Sequence, residues 1–199
     1  MKRDFSGESA VNTIMRAMRA FGCRARGRFY SYLNAFAPGS SKRVAFGANP
    51  KFMNSKKIHL GNNVSFGNLC RLECYSSGAY PAGDRPKISI GENCSFGDFN
   101  HIGAVNEVTI GRNLLCASKV LIIDHDHGRC GSELKNHAAV PPTQRELVSK
   151  GPIRIGDNVW IAESVVILAG ADIGDGAVIG ANSVVRGVVP PGTVHTSKS

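Results

Sequence analysis

The stretch PIRIGDNVWIAESVVILAGADIGDGAVIGANSVV, from Pro152 to Val185, decides the fold. An aliphatic residue returns at every sixth position: Ile155, Ile161, Ile167, Ile173, Ile179 and Val185. A small residue often follows it, as at Gly156, Ala162, Gly174 and Gly180. Four positions after each aliphatic residue stands another small or β-branched one: Val159, Val165, Ala171, Ala177 and Ser183. A helix needs apolar spacings of three and four, and an ordinary strand needs strict alternation. A sustained period of six marks a parallel β-helix built from hexapeptide turns. Each hexad predicts one short strand and one corner. The aliphatic side chain points inward, and the next position takes Gly or Ala because a Cβ would clash at the corner. Three hexads close one coil of a triangular prism.

Weaker hexads precede this stretch at Ile58–Gly61, Phe66–Gly67, Leu72, Ile90–Gly91, Phe96–Gly97 and Ile102–Gly103. After a two-residue phase slip they continue at Ile110–Gly111, Cys116–Ala117 and Ile122. The phase breaks over about 75–87 and again over 124–150, and both breaks read as loops thrown out of a corner. The second is of a length at which structureless loops are usually functional. Pro190-Pro191-Gly192 is expected to end the repeat. The expected organisation is an N-terminal helical, basic segment over 1–45, a β-helix domain over 46–194 and a short tail over 195–199. In the first segment Val11, Ile14, Met15, Met18 and Phe21 lie at helical spacing, with Gly22 placed to stop the helix. Arg16, Arg19, Arg24, Arg26 and Arg28 make it basic. Its narrow apolar face favours packing on the prism or on a neighbouring subunit over resting on anionic lipid.

The 199 residues suffice for one domain with a real core, and the formal net charge of +9 suits anionic partners. The 6 cysteines contain no CxxC pair, and no apolar run resembles a signal peptide or a membrane span. These features predict a cytoplasmic protein with reduced thiols. Cys94 and Cys116 fall on inward positions, so they are expected to pack in the core.

The hexads, DHDHG at 124–128, PPTQRELVSKG at 141–151 and the IGDNVWIAESVVIL coil together resemble the hexapeptide-repeat acyltransferases. Among these the chain is most similar to the lipopolysaccharide and capsule O-acetyltransferases, over about residues 56–194. The resemblance implies a left-handed coil, a homotrimer with active sites between neighbouring prisms, and acetyl-CoA as donor to a sugar acceptor. It implies no nucleic-acid partner. Peripheral contact with the inner membrane face would suit the basic surface.

Acyl transfer from a thioester to a hydroxyl needs a base, an oxyanion contact and two substrates held together. A neutral imidazole suits the base role near pH 7. The candidates are His127, which falls on the family's catalytic histidine in an ungapped match, and His125 as second choice. Asp124 or Asp126 would orient the ring or contact substrate. DHDH read as a metal cluster lacks a third ligand set at metal spacing, so no metal is expected. His59, His101, His137 and His195 lack a comparable setting. No Ser or Cys has a nucleophile's context, Cys130 included, so transfer is expected to be direct.

Trp160 should face outward because Val159 is inward, and the resemblance sets it beside acceptor and thioester. Backbone N–H groups near Ala162 and Glu163 match the family's thioester-oxygen contact. Gly180 and Ala181 match its Gly-Ala step along the pantetheine arm. Arg186 stands beside the family's Thr-Lys-Asp stretch, here Arg186-Gly187-Val188, and would take over a CoA phosphate. Asp98, Asn100 and Arg145 are expected to bind the acceptor, with Lys150 nearby. The family's Gly-Asn-Pro-Ala-Lys segment after Pro-Pro is replaced by Gly192–Ser199, which implies weaker CoA binding. The expected function is therefore O-acetylation of a surface-polysaccharide sugar. The alternatives are N-acetylation of a nucleotide-linked amino sugar, or a β-helix scaffold whose catalysis has decayed.

Overall fold

Inward residues at every sixth position put one short strand on each side of a triangle, and stacking the triangles makes three parallel sheets. The computed structural model describes residues 18, 21–25, 36–41, 43–77, 80, 83, 85, 87–128 and 140–197. The first face is a 7-stranded sheet: Val44–Phe46, Val64–Phe66, Ser95–Phe96, Leu115–Cys116, Trp160–Ile161, Val178–Ile179 and Val194–His195. The second face has 6 strands: Lys51–Met53, Arg71–Cys74, His101–Ala104, Leu121–Ile123, Val166–Leu168 and Val184–Val185. The third also has 6: Ile58–Leu60, Ile88–Ile90, Val108–Ile110, Ile153–Ile155, Asp172–Ile173 and Val188–Val189. All pairing within these sheets is parallel, and the architecture is the left-handed parallel β-helix.

Strands of two to four residues have little stability alone, so the stacked inward columns must hold them. Ile155, Ile161, Ile167, Ile173, Ile179 and Val185 are all buried, as their spacing predicts. Lower in the prism the first-face column is aromatic. Phe46 and Phe66 stack at 5.2 Å and Phe66 and Phe96 at 4.7 Å between ring centroids. Cys116 continues that column in register with Phe96 and Ile161. Cys94 and Cys116 are buried, and burial raises the pKa of both thiols. Cys130 lies outside the described residues.

Corners require a left-handed residue. Between the third and first faces the sequence supplies Asn63, Asn93, Asn113 and Asn158, with φ of 57–59°. Asn tolerates this region because its short side chain bonds locally. Here the amides also link coils, Asn63 to Asn93 and Asn113 to Asn158, each at 3.0 Å. Between the first and second faces two bulky residues, Leu69 and Phe99, take the same conformation with φ of 56° and 60°.

Several boundaries differ from expectation. Residues 36–41 already run along the third face, with the N–H groups of Ala37 and Ser41 on the carbonyls of Ile58 and Leu60. Pro190-Pro191-Gly192 does not end the repeat. Pro191 packs over Gly174, where a Cβ would meet it at 2.6 Å, and Val194–His195 then adds a last strand to the first face. Its inward residue, His195, sits in register with Ile179. Residues 21–25 are helical, so Gly22 does not stop that helix. An interior Gly costs only about 1 kcal/mol, which the turn tolerates. Met18 and Phe21 are exposed, while Val11, Ile14, Met15 and most of the arginines lie outside the described residues.

Candidate active site

Both insertions leave the prism between the second and third faces, after Cys74 and after Ile123. They touch where the Tyr80 hydroxyl donates to the Ser149 carbonyl at 3.0 Å. The coil between them carries the two-residue phase slip, which crowds three N–H groups onto one corner. Asp124 answers them. Its carboxylate is fully buried and accepts from the N–H groups of Val105, Asn106 and Glu107, each at 2.8 Å. Lys87 grips the same corner from below, donating to the carbonyls of Val105 at 2.6 Å, Tyr75 at 2.7 Å and Tyr80 at 3.1 Å. Asp124 is therefore spent on the backbone and on one imidazole. Its oxygens are buried and occupied, so they are not free to contact a substrate as expected.

That imidazole is His125, whose Nδ1 lies 3.0 Å from Asp124 Oδ1. A carboxylate only accepts, so Nδ1 carries the proton. The Tyr75 ring packs edge-on against His125 at 5.1 Å, and the His125 side chain is only 8% exposed. Below it is Gly103, where a Cβ would meet His125 Cε1 at 3.3 Å and His101 Nε2 at 3.6 Å. A second histidine–carboxylate pair thus converges on the same gap. His101 Nε2 lies 2.9 Å from Glu73 Oε2, and burial with the Arg71 charge lowers the His101 pKa, so the ring is neutral at pH 7. Glu73 is fully buried. Burial alone would raise its pKa, but hydrogen bonds from Lys51, Tyr75 and Arg71 outweigh this and hold it at about 2. Sequence reading missed Tyr75, Glu73, His101 and Lys87. The period-two spacing of Arg71, Glu73 and Tyr75 on a strand was the available signal.

The second insertion opens as an antiparallel ribbon, Asp126–His127 against Leu147–Val148. His127 faces solvent and makes no side-chain contact with a polar partner among the described residues. Asp126, on the other side of the ribbon, lies 3.7 Å from Lys150 Nζ. Arg145 donates its Nε to the Val140 carbonyl at 2.9 Å and so staples its own loop. His137 lies outside the described residues.

Trp160 faces outward on the first face, 51% exposed, in register with Leu115 and Val178. Beyond it, the corner to the second face repeats one device. The N–H of Ala48 is met by Asn68 Oδ1 at 2.8 Å, that of Asn68 by Asp98 Oδ1 at 2.6 Å, and that of Asp98 by Ser118 Oγ at 3.0 Å. Glu163 Oε2 then meets the Ser118 N–H at 3.2 Å. The next rung would come from residue 181, but Ala181 has no acceptor. The Glu163 N–H is consequently without a partner among the described residues. The Ala162 N–H, by contrast, is bound to the Ile179 carbonyl at 2.9 Å and is not free to contact a ligand.

Three further expectations change. Asn100 is 2% exposed, and its amide donates to Gly97 at 3.0 Å and Ala117 at 2.9 Å while accepting from the Val120 N–H at 2.8 Å. It is a corner clip with no capacity left for an acceptor. Asp98 lends Oδ1 to the corner ladder, while its Oδ2 lies 3.4 Å from the Asn68 amide. Gly180 is small because a Cβ would meet Thr196 Cγ2 at 2.8 Å, a constraint internal to the coil. Ala181 and Arg186 are exposed. Among the described residues no group of three or more His, Cys, Asp or Glu side chains could hold a metal ion. No helix among them is long and apolar enough to cross a membrane.

Residues 152–187 match the family described as bacterial transferase hexapeptide (six repeats). The chain is 40% identical, over 71% of its length and 68% of the relative's, to the "Putative lipopolysaccharide biosynthesis O-acetyl transferase WbbJ" of Escherichia coli K12. It resembles the crystal structure of a maltose O-acetyltransferase from Clostridium difficile 630 with a TM-score of 0.51 and 25% identity, covering 89% of this chain and 81% of that one. A mutant of AntD, an N-acyltransferase from Bacillus cereus solved with dTDP and Coenzyme A, shares the fold. Its TM-score is 0.63 at 16% identity, covering 84% of each chain.

Proposed function

Because this chain belongs to the hexapeptide-repeat acetyltransferases, we propose that it moves an acetyl group from acetyl-CoA to a hydroxyl of a surface-polysaccharide sugar. The observation that carries the reading is the broken rung at Ala181. It leaves one backbone donor, the Glu163 N–H, unpaired among the described residues on the corner that follows the strand of exposed Trp160. An N–H that the fold does not use, beside a large exposed indole, suits the oxygen of a thioester as charge develops on it. Arg186, exposed on a later coil, is the cation for a CoA phosphate.

His127 is the base. It is the exposed imidazole, whereas His125 is covered by Tyr75 and fixed on Asp124, and a base must reach a proton that arrives from solvent. His127 takes the hydroxyl proton as the sugar oxygen attacks the thioester carbonyl. The C–S bond breaks, and the imidazolium returns the proton to the leaving thiolate. Asp124, through His125 and the corner it clamps, fixes the root of the ribbon that carries His127.

The base and the donor corner lie at different edges of the prism, separated by roughly 15 Å of strand. One chain cannot join them, which supports a homotrimer whose sites form between copies. The formal charge of +9 suits an anionic glycan carrier at the cytoplasmic face of a membrane. The test is acetyl-CoA turnover against a panel of sugars, with product mass separating O- from N-acetylation. His127→Ala is expected to abolish turnover, and equal rates discard the base. Mixed with Ala181→Asp after co-refolding, it should regain activity, since some mixed sites then carry an intact half from each chain. No detectable CoA binding by calorimetry would favour the decayed scaffold.

A further inference from the structure

Tyr75, whose ring packs on His125, also lines a cavity of about 450 Å³ from which His125 is absent. Its floor is the short 3-10 turn Ser55–Lys57 with the preceding Asn54, and its roof is the start of the first insertion, Tyr75 and Ser76, with Lys87 behind. Three lysines, Lys56, Lys57 and Lys87, therefore face one space, and no carboxylate is among the described lining residues. Two acids lie behind the lining: Glu73, committed to Lys51 at 2.9 Å and Arg71 at 2.6 Å, and Asp124, whose charge acts on Lys87 but whose oxygens are held by three backbone N–H groups. The Cys74 thiol in the wall, pushed up to about 12 by burial, adds no negative charge at neutral pH.

The lysines differ in what they have left to give. Lys87 is 7% exposed and spends its ammonium on three carbonyls, so it shapes the cavity and contributes its field. Lys57 donates to the Gly83 carbonyl and keeps two donors, since an ammonium has three. Lys56 is exposed and has no partner among the described residues. Tyr75 belongs to both spaces. Its ring covers His125 at 5.1 Å, while its backbone carbonyl receives Lys87.

We propose that this cavity is an anion subsite for the acceptor, seating a phosphate or diphosphate attached to the sugar, with Lys56 and Lys57 as its direct ligands. Such a group is doubly charged or more, which suits a space with several ammonium groups and a polar turn. Tyr75 forms the wall between phosphate and sugar. The assignment of the anion to a sugar acceptor rests on the acetyl-transfer reading, whereas the anion site itself does not.

The first measurement is calorimetric titration of inorganic pyrophosphate into the full chain at low salt, with saturating CoA present to occupy the donor channel. Binding is expected. Lys56→Gln, at a side chain with no polar partner among the described residues, should weaken it about tenfold, the value of one charge-assisted contact. Adding Lys57→Gln should weaken it further. No pyrophosphate binding, or binding indifferent to both substitutions, overturns the site. The second measurement is displacement of pyrophosphate by N-acetylglucosamine, UDP-N-acetylglucosamine and a farnesyl-diphosphate-linked N-acetylglucosamine. Either diphosphate-linked sugar should displace it, and which one does so better identifies a nucleotide or a lipid carrier. Equal displacement by the neutral sugar, or none by either conjugate, refutes the acceptor assignment. His127→Ala should leave pyrophosphate affinity unchanged. Turnover on neutral sugars without pyrophosphate binding removes only this site, while turnover that survives His127→Ala removes only the base.

Discussion

Asp124→Asn is the sharpest perturbation available. The carboxylate is fully buried and holds three backbone N–H groups at 2.8 Å plus His125 at 3.0 Å. Hydrogen bonds to a charged group contribute about 1.5–3 kcal/mol each. Asparagine keeps one oxygen, which can serve one or two of the N–H groups, but turns an NH₂ toward the others. The expected loss is therefore about 2–4 kcal/mol, or roughly 5–15 °C in melting temperature for a chain of this size. The assay is thermal unfolding by circular dichroism, with amide hydrogen exchange read at Val105, Asn106 and Glu107. Those three amides should lose protection before the rest of the coil. Turnover should also fall, because His127 stands on a ribbon rooted at Asp124. A variant that melts within about 2 °C of the parent, with the three amides still protected, would refute the clamp.

Other expectations follow from single features. Ala181→Asp should restore the missing rung by accepting from the Glu163 N–H, so stability should hold or rise while the KM for acetyl-CoA increases at least about tenfold. Trp160→Ala, at an exposed position, should leave the melting temperature nearly unchanged and lower kcat/KM, which steady-state kinetics would reveal. Glu73 has its pKa lowered from 4.5 to about 2, so it adds about 3 kcal/mol that is fully present above pH 4.5 and lost as pH falls toward 2. Urea unfolding of Glu73→Gln should therefore show a flatter pH dependence over that window. Phe99→Asn should relieve a left-handed bulky residue and stabilise the protein by about 1 kcal/mol, measured as a shift in the urea midpoint.

The prism was legible because its signal is redundant. Six inward residues in phase from Ile155 to Val185 specify the coil many times over, and all are buried. Trp160 was legible for the same reason, since a neighbour of inward Val159 must face out. The site was less so. Its residues are set by corners, where one side chain answers the backbone of a different coil, and that partner lies 17 to 19 residues away for Asp124. Asn100 looks like a polar ligand in one dimension, yet it is consumed by such a corner, and Asp98 lends one oxygen to another. Ala181 shows the converse. What sets it apart is the side-chain acceptor it lacks, which no motif displays. The N-terminal stop at Gly22 failed because a single glycine is a weak terminator when the residues after it can continue the helix.

Both excursions of the chain depart from the same edge, on alternate coils, and meet through Tyr80 and Ser149. Lengthening or exchanging either one leaves the stacking register of the three walls unchanged, because each hydrogen-bonded rung closes beneath it. On the proposed function, recognition of the acceptor can thus be rewritten at one seam while the donor-side edge is inherited intact. A graft of both segments from a relative, transplanted as a pair, should change which sugar is modified without disturbing the scaffold that presents it.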